Sequence, residues 1–199
     1  VVLSRGLGDV YKRQDQVHDS SDVAFIDILR AVADARGDAR CIGGPGSTSS
    51  TWTQFIERVE RASAALNALG LGCHRERNEL AHHESGQDHL ALLMHNSPQC
   101  LELMCAAFAS RVAPVNVNHR YTADELVDTL NYAHATVVAV HSDYADVLTA
   151  ALPRLPHVRV VIEVTDSGDT VISTAHDYET LLNTHSPQLE PPLASGDDL

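Results

Sequence analysis

The stretch Leu90-Ala91-Leu92-Leu93-Met94-His95-Asn96-Ser97-Pro98 decides the reading of this chain. An apolar run of strand length, Leu90–His95, meets Ser97-Pro98, a strong helix start. Serine caps the free amides of a first turn, and proline loses nothing at the first helical position. Leu101, Met104, Cys105 and Phe108 then line the helix that follows. The same unit recurs downstream. Val112–Val117 reads as a strand, and Thr122-x-x-Glu125 is a capping box opening a helix with Leu126, Val127 and Leu130 on its apolar face. Thr136–His141 is a third strand, a helix runs from about Asp143 to Leu152, and Val158–Val164 is a fourth strand. Strand starts near 90, 112, 136 and 158 are 22, 24 and 22 positions apart. Each interval holds one strand, one helix and two short loops, the spacing of a parallel sheet with right-handed crossovers.

Upstream, Ser20, Ser21 or Asp22 can cap a helix running to about Arg36, with Val23, Ile26, Leu29 and Ala33 on one face. Arg40–Ile42 and Ser49–Trp52 read as a hairpin around Gly43-Gly44-Pro45-Gly46. This glycine-rich turn lacks the Gly-Lys-Ser/Thr ending of a phosphate-binding P-loop. Thr51 and Gln54 form a capping box, and Trp52, Phe55, Ile56, Val59, Ala62, Leu66 and Leu69 make one helical stripe that ends at Gly70 and Gly72. Cys73–Asp88 reads as a polar surface loop with a short helical turn. Downstream, Asp166-Ser167-Gly168-Asp169 signals a turn and Tyr178–Leu182 a short helix. The fold class is therefore α/β, a mostly parallel sheet with flanking helices preceded by a helix and a β-hairpin.

Charge and composition exclude several functions. The chain of 199 residues carries 14 Lys+Arg against 27 Asp+Glu, a net −13. Clustered cations that would displace counterions from nucleic acid are missing, so no nucleic-acid partner is expected. No apolar run reaches the roughly 20 residues of a transmembrane span, and no signal peptide is evident, so the expected location is cytoplasmic. Residues 1–14 carry a local +2 and the only lysine, Lys12; the remainder sums to −15 with eleven arginines. Ser4–Gln14 resembles a translated sequencing adapter, and residues 1–14 are set aside as an artefact. Cys41, Cys73, Cys100 and Cys105 are too sparse for a disulfide framework and read as buried reduced thiols.

No catalytic set emerges from the residues. G-x-S-x-G is absent, so Ser97 and Ser142 read as a cap and a turn. G-x-G-x-x-G is absent after the first strand of the βα run, which disfavours a nucleotide-binding oxidoreductase. His83-Glu84 begins like a zincin motif, but Gln87 stands where the second histidine must project, and His74, His82, His83 and His89 read as loop residues; no metal ligand set is expected. Asp124 and Glu125 favour a helix dipole, and Asp197 and Asp198 are solvated. Asn118, Arg120 and Tyr121 lie just past a strand's carboxyl end, where open α/β sheets place ligands, and are the only candidate site residues.

Several segments, in order, resemble the adenylate-forming (AMP-binding) acyl-CoA synthetases. Ser50-Thr51-Trp52-Thr53-Gln54-Phe55 is similar to the entry of an early helix in that family, and Gly70-Leu71-Gly72 to its end. Leu92-Leu93-Met94-His95-Asn96-Ser97-Pro98-Gln99-Cys100-Leu101-Glu102 resembles the family's strand, its Asn-Ser-Pro-Glu turn and the next helix, with Gln99 in place of the common Glu. Val112-Ala113-Pro114-Val115-Asn116-Val117-Asn118 resembles its Ala-Val-x-x-Pro-x-Asn strand. Cys73–Gln87 and Asn116–Tyr121 look like a bacterial subgroup acting on fatty acids or steroid side chains. The resemblance spans Ala24–Leu199.

The resemblance implies that residues 15–199 are the N-terminal part of the large AMP-binding domain, an incomplete subdomain whose 186–199 segment is a disordered cut end. The family's phosphate loop, ending in Pro-Lys-Gly, would follow an Asp-Asp-Leu-like segment, here Asp197-Asp198-Leu199. The intact enzyme would join a carboxylic acid to coenzyme A using ATP and Mg, through an acyl-adenylate. Since the family's catalytic motifs would lie beyond Leu199, no catalytic, cofactor-binding or metal residue is assigned. The piece is expected to be inactive, to bind no cofactor alone, and to need the missing remainder of its own chain as partner. Cut from that remainder, it should expose apolar edges and associate. The competing reading is a standalone, non-enzymatic α/β ligand-binding or interaction module.

Overall fold

The computed structural model describes residues 24–43, 49–166 and 170–187. The chain runs α1 (Phe25–Arg36), β1 (Arg40–Ile42), β2 (Ser50–Thr51), α2 (Trp52–Ala68), β3 (His89–Leu93), α3 (Pro98–Ala109), β4 (Ala113–Asn116), α4 (Ala123–Tyr132), β5 (Val137–His141), α5 (Ala145–Ala151), β6 (Val160–Val164), β7 (His176–Asp177) and α6 (Tyr178–Thr184). β1 and β2 pair antiparallel, and the other five strands form a sheet in the order β4-β3-β5-β6-β7, with every neighbouring pair parallel. The expected parallel α/β sheet, with a helix and a two-stranded antiparallel pair before it, is what the chain forms.

Strand alternation sorts the core into two layers. Leu90, Leu92, Met94, Val137, Ala139, Val160 and Ile162 point to one face, where they meet α1, α2, α3 and α6. Ala91, Leu93, Val138, Val140 and Val161 point to the other, beneath α4 and α5. In β5 all five residues are buried, as in a sheet covered on both sides. The helix starts expected from sequence form as read. Thr51 Oγ1 accepts from Gln54 N–H at 3.3 Å while Gln54 Oε1 accepts from Thr51 N–H at 3.0 Å. Thr122 and Glu125 make the same reciprocal pair, and Ser97 Oγ caps Cys100 N–H. Gly70, at φ 73°, takes the left-handed turn that ends α2, a conformation glycine adopts at no steric cost.

Several details differ from the sequence reading. The first helix starts at Phe25 with Ala24 as cap residue, where the Asp27 carboxylate accepts the Ala24 N–H; Ser20, Ser21, Asp22 and Val23 lie outside the described residues. So do most of the hairpin turn (44–48), Ser167–Asp169, Asp197 and Asp198, residues 1–14, and nearly all of 186–199. The periodicity gave α3 a single apolar face, yet Leu101 is 42 % exposed and only Cys105 of the four named residues is buried. α3 is wedged between the sheet and the α1–α2 layer, so Leu103, Ala106, Ala107 and Ala109 are buried too. Small alanines let it fit there. The 143–152 helix divides into a 3-10 turn at Ser142–Tyr144, then α5, then a second 3-10 turn at Leu152–Arg154, where Pro153 removes a backbone donor. β7 had no strand signal, being only two residues long. Of the cysteines, none of them in a disulfide, only Cys105 is fully buried, and burial pushes its thiol up to about 12.

The polar loop folds back on itself, with a 3-10 turn at Arg77–Glu79 and a bridge between Cys73 and Gln87. It ends on Asp88, which is 4 % exposed and lies at the amino edge of the sheet. Its carboxylate accepts from Arg159 Nη2 at 2.7 Å and from Gly72 N–H at 3.1 Å, and His74 Nε2 sits at 2.7 Å. Burial opposes ionisation, but the bonds from Arg159, His74, Thr136 and Gly72 outweigh it and hold the carboxyl below its ordinary range.

Two predictions follow from this packing. Leu92→Ala, in a central strand, should lower unfolding free energy by about 2–5 kcal/mol in urea denaturation. Because the folded Asp88 carboxyl titrates below the unfolded one, its stabilisation is complete above the unfolded range near pH ~4 and fades as pH falls through the folded value. Asp88→Asn should therefore lower the urea midpoint at about pH 7 and flatten its decline between about pH 5 and about pH 3.

Candidate functional site

The sheet order places one crevice by topology alone. The chain leaves β3 for α3 on one face, whereas from its neighbour β5 it leaves for α5 on the other. Between two parallel strands whose connections diverge in this way, the carboxyl ends open a gap, the usual ligand position in open α/β sheets. Here that gap receives His95, Asn96 and Ser97 after β3, His141 at the end of β5, and Val164 and Asp166 at the end of β6. Gln54, Glu57, Arg58 and Arg61 of α2 and Glu179 of α6 form the opposite wall of a cleft of about 930 Å³.

The cations of that wall are committed to carboxylates. Arg58 Nε donates to Glu102 Oε1 at 2.8 Å, and its two Nη groups donate to Glu179 at 3.0 and 2.6 Å. Glu102 is 3 % exposed; its second oxygen accepts from the Tyr178 hydroxyl at 2.9 Å. Arg58 also lies 5.8 Å from the Tyr178 ring centre, a cation–π distance. Burial disfavours the Arg58 cation, but Glu179 and Glu102 more than compensate and hold it protonated. Burial, reinforced by Glu102, pushes the Tyr178 hydroxyl well above its ordinary range. Arg61 pairs with Glu57 at 2.8 Å and donates to the His185 carbonyl at 2.8 Å. The group ties α2, α3 and α6 together across the cleft.

The floor is aromatic and imidazole-rich. The His95 and His141 rings lie 4.4 Å apart, and Tyr144 stands 6.3 Å from His95, 6.5 Å from His141 and 5.3 Å from His119. His141 is 4 % exposed. One ligand atom each of His95, His141 and Asp143 lies within 4.8 Å of the other two, the one His/Asp grouping of this kind among the described residues. The sequence reading missed it, since the partners come from different strands. The cue is that the two runs read as strands, Leu90–His95 and Thr136–His141, both end in histidine. The residues it did single out lie one strand away, past β4. Asn118 Oδ1 accepts from Arg120 N–H at 3.0 Å and the Asn118 carbonyl from Tyr121 N–H at 3.1 Å, closing a turn. Tyr121 packs on the second core layer and Arg120 is exposed, and none of the three lines the cleft. Ser97 and Ser142 act as cap and turn.

Comparison with known proteins agrees with this architecture. The family model for AMP-binding enzymes matches residues 29–199. The chain is 42 % identical over 173 residues to the medium-chain acyl-CoA ligase Mig of Mycobacterium avium, covering 86 % of this chain and 31 % of that protein. It is 29 % identical over 150 residues to a 3-oxocholest-4-en-26-oate–CoA ligase of Rhodococcus rhodochrous, covering 72 % and 27 %. Among solved structures it superposes on an anthranilate CoA ligase, AuaEII, with a TM-score of 0.76 at 15 % identity, over 91 % of this chain and 32 % of that one. The chain thus spans under a third of the length of the curated relatives quoted.

The cleft wall makes its own prediction. Tyr178→Phe leaves one oxygen of buried Glu102 without its donor and should cost about 1–3 kcal/mol in thermal or urea unfolding. Arg58→Met strands the same carboxylate and should cost more, about 3–5 kcal/mol.

Proposed function

Because the chain belongs to the AMP-binding enzyme family, we propose that it is the N-terminal part of an ATP-dependent acyl-CoA ligase. The observation that carries this reading is the 42 % identity to a medium-chain acyl-CoA ligase over 173 residues. The intact enzyme activates a carboxylic acid with ATP and Mg, releasing pyrophosphate, and the coenzyme A thiol then displaces AMP. A medium-chain fatty acid is the leading substrate, and a steroid side-chain acid is the second, favoured by the similarity to the Rhodococcus rhodochrous protein. Residues 15–199 then belong to the large AMP-binding domain, with two thirds of the enzyme supplied by further chain. Within the described residues no helix is long and apolar enough to cross a membrane, which accords with a water-borne enzyme.

The residues present do not fit a nucleoside triphosphate. A triphosphate needs uncommitted cations or a nest of backbone N–H groups. In the cleft Arg58 and Arg61 already serve Glu102, Glu179 and Glu57, three carboxylates for two cations, and Asp166 adds a further negative charge to the same walls. No step of the reaction is therefore assigned to a side chain of this piece. Its contribution is architectural: a rigid parallel sheet whose carboxyl edge forms one side of the larger site. Asn118, Arg120 and Tyr121, at that edge, stay candidates for contact with the acyl or coenzyme A portion.

Expression of the complete reading frame containing these residues tests the proposal. Purified full-length protein should form thioesters from medium-chain acids only when both ATP and coenzyme A are present, whereas the 199-residue chain should release no pyrophosphate. A frame with no phosphate loop downstream, or a complete protein without thioester formation, overturns the ligase reading. Pyrophosphate release by the 199-residue chain alone overturns the inactivity.

A further inference from the structure

We propose that the cleft at the divergence of β3 and β5 binds an uncharged polyhydroxylated ligand of the sugar or polyol class, with the His141 Nε2–H group as its anchoring donor. His141 lines the cleft and is 4 % exposed, yet only one of its ring nitrogens is satisfied. Asp143 N–H donates to Nδ1 at 3.2 Å, which uses the lone pair of that nitrogen and leaves the ring proton on Nε2. Among the described residues Nε2 has no hydrogen-bond partner, and the Asp166 carboxylate, at 3.9 Å, is too far for a direct bond. Buried donors in folded proteins are nearly always paired, so an idle one that reaches a cleft points to something held there.

The separation of Nε2 from Asp166 fits one inserted oxygen. An atom about 2.8 Å from both Nε2 and Asp166 Oδ2 bridges them at an angle of roughly 90°. That oxygen must accept from Nε2–H and donate to the carboxylate. A hydroxyl does both, whereas a carbonyl or carboxylate oxygen has no proton to give and an ammonium has no lone pair to receive one. Charge around the cleft makes the same choice. Arg58 and Arg61 are paired, and the four carboxylates of Glu57, Glu102, Glu179 and Asp166 against these two guanidiniums leave an excess of negative charge, which repels an anionic ligand.

The rest of the lining favours several hydroxyls over one. Ser50 Oγ, on the α2 side of the cleft, is buried and has no hydrogen-bond partner among the described residues. Asn96 and Gln99 make no side-chain hydrogen bond there either, and each amide can both donate and accept. Glu57 engages Arg61 through Oε1, which leaves Oε2 to accept. His95, its ring 4.4 Å from that of His141, adds a flat surface for the C–H face of a cyclic polyol. Neutral donors and acceptors along a cleft of about 930 Å³ whose two arginines are already paired suit the recognition of an uncharged sugar. Such a site needs neither ATP nor coenzyme A, so it stands apart from the ligase reading.

The test is titration of the 199-residue chain with D-ribose, D-glucose and myo-inositol, followed by proton–nitrogen correlation spectra of the histidine rings at mildly alkaline pH. Before addition the His141 ring should show a protonated Nε2 and a bare Nδ1. At least one of the three probes should bind saturably with a dissociation constant of about a millimolar, as suits a ligand of so few atoms, and should shift the Nε2 resonance. Its affinity should hold between about 0.05 and about 0.5 M salt, since no ligand charge is screened. Asp166→Ala, at a side chain 93 % exposed and so harmless to folding, should weaken binding about fivefold or more. His141→Phe keeps a ring in the core but removes the donor, and should weaken binding at least as much; the Asp166 variant keeps the test decisive if this one misfolds. No saturable binding, tighter binding of a phosphorylated sugar than of its parent, or affinity unchanged by Asp166→Ala overturns the proposal. Each of these outcomes leaves the ligase reading standing, because thioester formation by the complete protein decides that separately.

Discussion

The side-by-side pairing of β3 with β5 is the constraint on which the rest depends. Leu90–Leu93 lie against Val137–Val140 in parallel register, and all eight residues are buried. Two apolar strands with no solvent face cannot be stable unless helices cover both sides, because each face would otherwise leave several side chains in water. The alternation of side chains then assigns the layers. Even-numbered residues of β3 meet α1, α2, α3 and α6, and odd-numbered ones meet α4 and α5. Since β3 feeds a helix on one face and β5 a helix on the other, the same pairing creates the crevice where His95 and His141 converge. Core, layer order and candidate site thus come from one contact.

Three buried carboxylates hold the irregular segments to that frame. Asp88 fastens the polar loop to Gly72 and Arg159 at the amino edge. Glu102 links α3 to Arg58 of α2 and Tyr178 of α6 at the carboxyl edge. Glu163, with no exposed surface, accepts the Val171 and Ile172 N–H groups at 2.9 Å each. An unsatisfied buried carboxylate is costly, so each of these acts as a staple between parts of the chain that packing alone would leave free to shift. All three lie at the ends or flanks of the sheet, where apolar burial gives out. Ser63 and Ser110, with hydroxyls 2.8 Å apart, do the neutral equivalent between α2 and the end of α3.

Local signals in the sequence were enough for most of the frame. Capping pairs such as Thr51/Gln54 and Thr122/Glu125 and the Ser97-Pro98 start are physical statements about a few adjacent residues, and each formed as read. The strand read at Thr136–His141 is legible because valines at 137, 138 and 140 with Ala139 between them leave no polar alternation and so no solvent face. What escaped the sequence depends on contacts between distant segments. α3 buries Ala106, Ala107 and Ala109 as well as Leu103 because helices lie on one side and the sheet on the other, and small residues carry little periodicity signal. β7 exists because His176 and Asp177 find β6, through Ile162 and Glu163, not because two residues have strand character. The His95–His141 contact required knowing that β3 and β5 are neighbours while β4 stands outside, a fact of strand order. The three residues past β4 were chosen by the right rule about carboxyl edges, but the switch point lies on the other side of β3.

The electrostatics of the cleft bear on how a chain of this family divides its labour. Eight of the residues around it can carry charge, among them Glu57, Arg58, Arg61, Glu102 and Glu179. Yet the arginines face carboxylates at 2.6–2.8 Å, so each positive charge is spent inside the fold. Coulomb attraction at such separations, in a partly buried setting, strongly resists exchange for a mobile anion. A fold that neutralises its own arginines in this way supplies shape and rigidity rather than phosphate affinity. At this carboxyl edge the charges therefore serve to hold α2, α3 and α6 against one another.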